Sequence, residues 1–164
     1  MNNRLWLTAA LVLGAGMYAE VATATPPAGF TSTTLATATY EEIDVKASSH
    51  PEGEWQAKLK THGESDLYVQ SNAWIPGGTS GWHTHPGFSL ITVTAGAVTA
   101  YHGDDPTCTP HVYTVGMGFI DRGGDHVHLI RNEGAVEARS ITVQLIPDAA
   151  ARRIDAPASG FCGF

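Results

Sequence analysis

The sequence predicts an all-β domain, a sandwich or closed barrel, and three observations carry that expectation. Apolar and β-branched residues alternate over short segments, turn residues punctuate them at roughly 8–12-residue spacing, and beyond the N-terminus no stretch has the period of a long amphipathic helix. The composition agrees, being rich in Thr, Val, Ala and Gly and poor in Lys and Glu. With 164 residues the chain has room for one domain and one core. The net charge of -7 gives no sign of a nucleic-acid surface.

Residues 1–24 are set apart from that domain. Arg4 precedes an uncharged, mostly apolar run from Leu5 to Ala19, and Ala22-Thr23-Ala24 supplies small residues where a signal peptidase reads them. The run is short of the roughly 20 residues of a membrane span. The expectation is therefore a signal peptide cleaved after Ala24, a secreted or periplasmic product, and no stable membrane insertion after cleavage. Export also changes how the cysteines read. Cys108 and Cys162 are the only two, and an even count in an oxidising compartment predicts one disulfide tying the tail to the body.

Residues 25–32, with Pro26-Pro27 and Gly29, read as a flexible lead-in. Weakly alternating strands are expected from Thr33 to Tyr40 and from Ile43 to Ala47, then a loop, then a strand or helical turn from Trp55 to Lys60. Asp66 to Ile75 alternates better, and Pro76-Gly77-Gly78 should stop it. Ser89 to Thr94 and Ala97 to His102 form a hairpin bent at Ala95-Gly96. Further strands are expected over His111–Val115, Gly118–Asp121, His126–Arg131 and Val136–Ile146. Pro147 ends the last of them, so the domain runs over 33–147, and 148–164 is a C-terminal tail opening with a brief helix.

The chemistry concentrates in paired histidines. His83 and His85 are one residue apart, the period of a strand, so both imidazoles leave the same face. Neutral imidazole is the commonest side-chain ligand of transition metals, and such a pair supplies two adjacent corners of a coordination sphere. His126-Val127-His128 repeats the device about forty residues on. Matched pairs point to a metal site far more strongly than one His-x-His does.

These residues resemble the two motifs of the cupin family. Gly77, His83, His85 and Gly96 fall on the spacing of the first motif, with Pro86 after the second histidine. His128 followed by Asn132 fits the end of the second, and the resemblance covers roughly Leu67 to Ile146. It implies a single cupin-type jelly-roll β-barrel holding one divalent metal in its mouth, with His83, His85 and His128 as ligands. His126 shares the strand face expected of His128, so the third ligand is either of them or both; the downstream Asn132 favours His128 and leaves His126 as the candidate fourth ligand. The resemblance leaves the metal open among Fe, Mn, Ni, Cu and Zn. A homodimer through edge strands, common in the family, is the accompanying option.

Departures from the pattern carry information too. The family's glutamate position holds Ser89, a poor ligand beside carboxylate. That implies a three-histidine site whose ion, uncompensated by anionic ligands, is a stronger Lewis acid. Ser89, His102, Tyr101 and Arg122 are candidates for contacts to substrate or around the ligands, and Arg131 flanks the second histidine pair. Trp74, Trp82 and Phe88 line a pocket or fill the barrel. His50, His62 and His111 receive no role. The expected function is an exported small-molecule enzyme, dioxygenase-like or an isomerase or lyase. The alternative is a non-enzymatic cupin that binds a metal, sugar or other small ligand.

Overall fold

The computed structural model describes residues 24–50 and 54–164. The expected signal peptide, apart from Ala24, lies outside the described residues. Twelve strands form among them and no helix: β1 (Ala28–Tyr40), β2 (Asp44–Ser48), β3 (Gln56–Lys60), β4 (Ser65–Thr79), β5 (His83–Thr84), β6 (Phe88–Ala95), β7 (Ala97–His102), β8 (His111–Thr114), β9 (Gly118–Asp121), β10 (His128–Arg131), β11 (Ala138–Pro147) and β12 (Ile154–Asp155). β2 and β3 pair as a separate ribbon, and the other ten join one antiparallel sheet that curls into a nearly closed jelly-roll barrel.

β4 is the longest strand, with β1 along one edge and β11 along the other. Contrary to the sequence reading, Pro76-Gly77-Gly78 does not end it. Gly77 takes a positive φ of 77°, and the strand turns to a new partner. Its N–H donates to the Asn132 carbonyl at 2.9 Å, and the Asn132 N–H returns to the Gly78 carbonyl at 2.9 Å. A Cβ on Gly78 would lie 2.4 Å from the Gly29 carbonyl oxygen, so this corner accepts no side chain. Asn132 also donates through Nδ2 to the carbonyls of Trp74 and Val136. The motif asparagine thus holds the backbone on both sides of the corner.

Strand alternation divides the interior. Trp74, Val93, Val98, Ala100, Ile130 and Ala138 make an apolar core, with Phe30, Tyr113 and Phe119 packed against it. Tyr101 and Leu129, one residue out of phase, point the other way and join Trp82, Ala156 and the disulfide in a second cluster. Gln70, Asn72, Ser140, Thr142 and Gln144 line a polar part of the barrel. Asn72 Nδ2 donates to Thr142 Oγ1 at 2.9 Å, Gln70 Nε2 to Ser32 Oγ at 2.9 Å and Gln144 Nε2 to the Arg152 carbonyl at 3.3 Å.

Two segments differ from expectation. Residues 28–32 are strand rather than flexible lead-in, because Phe30 packs on the Trp74 ring with centroids 4.9 Å apart. The tail is no irregular appendage, and 148–153 form turns rather than a helix. Its residues Ile154–Asp155 pair with β5, the Ser159 hydroxyl donates to the Gly103 carbonyl, and Cys108–Cys162 closes with a Cα separation of 5.4 Å.

A bridge spanning 54 residues of sequence restricts the unfolded chain and stabilises the fold by about 3–4 kcal/mol in the chain-entropy model. The Cys108→Ser/Cys162→Ser protein is expected to lose about that much in urea unfolding; an unchanged midpoint would contradict the tail's role.

Candidate metal centre

The centre begins with two residues of strand. His83-Thr84 lies between β10 and β12, with His83 directly opposite His128 on one side and Asp155 on the other. Cross-strand partners project to one face, so His83 and His128 meet with ring centroids 4.3 Å apart. His85 joins them at 4.8 Å from His83 and 5.4 Å from His128. One ring nitrogen from each of the three falls within 4.8 Å of the others. His83 and His128 are buried, at 5% and 4% exposure.

Backbone carbonyls set the ring orientations. His83 Nδ1 lies 2.8 Å from the Gly81 carbonyl oxygen, and His85 Nδ1 against that of Arg152. A donating Nδ1–H leaves the Nε2 lone pair free, the tautomer a metal requires. Burial lowers the pKa of all three imidazoles. For His83 the charges of His128, Arg153 and His85 push the same way. For His85 the Arg152 carbonyl and Asp121 oppose the effect, as does Asp121 for His128. Neutral imidazole is therefore the resting state, which fits a divalent cation.

Asp121 completes the ring of polar groups, and the sequence reading missed it. Its carboxylate is buried, with Oδ2 at 3.5 Å from His85 Nε2 and Oδ1 at 3.4 Å from His128 Nδ1. The available signal was its alternation with Phe119 on β9, which sets both inward. Asp121 stands opposite Ser89, and Ser89 opposite Gln144, so one rung across β9, β6 and β11 faces the cavity.

That cavity holds about 110 Å³. The three imidazoles, Asp121 and Ser89 line it, together with two arginines from the tail, Arg152 and Arg153. Arg152 lies over the Tyr68 ring at 4.9 Å, and Arg153 pairs with Asp155. Arg152 Nη1 and Arg153 Nη2 have no hydrogen-bond partner among the described residues. No periodicity marked these arginines, because the turn after β11 brings them in.

Other sequence candidates fall elsewhere. Tyr101 faces the second cluster, donating to Glu133 at 2.8 Å with Phe164 across its ring. Arg131 lies over the same Phe164 ring at 4.3 Å. His126 precedes β10 instead of sharing its face. Its ring is 4.8 Å from that of His102, which is 5.0 Å from that of His111. Those three and Arg122 line a neighbouring cavity. His126 Nδ1 is nevertheless 3.9 Å from Asp121 Oδ1.

No family model matches the chain, and no curated protein does. Among solved structures it is similar to an oxalate oxidase, at 21% identity over 50% of this chain and 46% of that one, with a TM-score of 0.42. The match thus spans less than half the length of that oxidase. A cupin superfamily protein from Desulfitobacterium hafniense matches at 11% identity, covering 65% of this chain and 81% of that one, with a TM-score of 0.43. A predicted oxalate decarboxylase from Thermotoga maritima matches at 17% identity, covering 51% and 82%, with a TM-score of 0.42. The chain folds as a cupin-type jelly-roll β-barrel. The meeting of the β5 and β10 histidines agrees with the motifs of its sequence.

The lowered histidine pKa values fix a sign for apo-protein stability. Between the folded values and the ordinary 6.5, the unfolded chain binds protons that the buried rings refuse, so stability falls as pH drops through that window. In chelator, the thermal midpoint should decline below about pH 6.5, and less steeply in His83→Gln. Equal slopes would contradict this account.

Proposed function

We propose that the chain is an exported cupin enzyme in which His83, His85 and His128 hold one divalent transition metal beside a small-molecule pocket. The observation that carries this reading is the convergence of three buried imidazoles, each lowered in pKa by burial, at ligand spacing. When bound, such an ion supplies Lewis-acid polarisation or, if redox-active, oxygen chemistry. Fe, Mn, Ni, Cu and Zn all suit imidazole ligands. The disulfide is compatible with an oxidising compartment, and among the described residues no helix is long and apolar enough to cross a membrane.

The chain's own residues set what the pocket accepts. Gly81 and Arg152 hold the His83 and His85 rings through their carbonyls. Ser89 and Gln144 offer hydrogen bonds from the wall, and the guanidinium groups of Arg152 and Arg153 favour a ligand with negative charge. Ionisable groups facing the imidazoles favour an enzyme, dioxygenase-like, over the alternative of a non-catalytic metal or sugar binder. His102 and Arg122 belong to the adjoining cavity and take no part.

Elemental analysis of the untagged protein from Thr25 onward tests the reading. About one transition ion per chain is expected, lost in His83→Ala, with oxygen consumption in small-acid screens lost alongside it. Metal bound equally by His83→Ala would overturn the three-histidine site. Ligand binding that persists without metal would favour the non-catalytic alternative.

A further inference from the structure

Among the unpartnered polar atoms around this centre, the carboxylate oxygen of Asp121 stands beside the histidines. Asp121 is 4% exposed, and its Oδ2 has no hydrogen-bond partner among the described residues. Oδ1 accepts the Gly123 N–H at 3.0 Å. No lysine or arginine among the described residues lies within ion-pair distance of the carboxylate; its neighbours at that range are His85, His126 and His128. A buried carboxylate oxygen left without a partner is costly. Oδ2 borders the space that the imidazoles surround, where a bound cation would satisfy it.

The backbone aims Asp121 there firmly. It is the last residue of β9, and Ser89 is its cross-strand partner on β6. The following loop is locked against the first histidine pair: the Gly124 N–H donates to the His85 carbonyl at 2.7 Å and the Thr84 hydroxyl to the Gly124 carbonyl at 2.6 Å. Gly123, at φ +66°, lies so close that a Cβ would stand 2.1 Å from the Gly87 oxygen and 2.7 Å from that of His85. Asp121 Oδ2 and His85 Nε2 are 3.5 Å apart, a separation that two atoms bound to one ion can adopt, since each sits about 2.0–2.2 Å from the metal.

We propose that Asp121 is a fourth protein ligand of the metal, supplying from β9 the carboxylate that Ser89 lacks on β6. This rests on the reading that His83, His85 and His128 hold an ion. It replaces the sequence expectation of a purely three-histidine site: the ligand set carries one negative charge, moved one strand sideways along the same rung. His126, the sequence-derived fourth candidate, lines the His102 cavity, and its ring nitrogen also lies within 4.8 Å of ligand atoms of Asp121 and His128; the proposal does not require it.

The test loads metal-free protein with Mn²⁺ and reads affinity by EPR and inner-sphere water number by water-proton relaxation. An octahedral ion with three protein ligands keeps about three water positions and with four about two, so the wild type is itself diagnostic. The expected result is about two waters or fewer in wild type, and in Asp121→Asn about one more water with affinity lower by at least roughly tenfold. Ser89→Glu/Asp121→Asn should recover affinity and lose the extra water, and His126→Ala should match wild type. Three waters in wild type, or an unchanged water number in Asp121→Asn, would overturn the proposal even if affinity fell, since a carboxylate that only orients His128 leaves the water number alone. Wild type that binds no Mn²⁺, or binds it as His83→Ala does, would instead overturn the three-histidine reading. If Asp121→Asn fails to fold, the wild-type water number still decides.

Discussion

Everything at this centre depends on the seating of a two-residue strand. His83-Thr84 is too short to persist alone and exists because β10 pairs with it on one side and β12 on the other. That double pairing brings His83 opposite His128. It also buries both rings far enough for desolvation to hold them neutral. Burial and ligand competence are thus one property: the hydrogen bonds that remove the rings from water also point their free nitrogens at a common space.

The barrel was legible because the sequence advertises it through alternation and glycine turns, and most strands lie within a residue or two of their expected bounds. The first histidine pair was legible for the same reason. Limits appeared wherever an outcome depended on a distant partner. Pro76-Gly77-Gly78 carries every local mark of a strand end, yet hydrogen bonds to Asn132, more than fifty residues away, carry the strand through the corner. His126 and His128 share a face only if the strand starts before His126; the turn at Gly123-Gly124 delays it to His128. Asp121 looked like an ordinary strand end because its partners are distant in sequence: His85 just after β5, Ser89 on β6 and His128 on β10.

The tail is the clearest case of tertiary context overriding local pattern. Nothing in 148–164 has a period, and the segment contains turn residues and two adjacent arginines. Its order comes from receptors elsewhere: the edge of β5, the Gly103 carbonyl, Cys108, and the Trp82 indole, which donates to the carbonyl of Phe164 at 3.3 Å. In return it gives the cavity the Arg152 carbonyl that orients His85, and two guanidinium groups.

The Cys108–Cys162 bond has a topological consequence. It closes a covalent ring containing Asp121, His126, His128, Gln144, Arg152 and Arg153, while His83, His85 and Ser89 lie on the linear part of the chain outside it. The cavity is therefore a joint between a closed loop and an open thread. When the protein unfolds with its bond intact, members of the ring stay confined to a smaller volume, whereas the His-x-His pair, on the open chain leading into Cys108, explores a larger one. The two halves of the cavity lining differ in tether, although the folded barrel presents them as one surface.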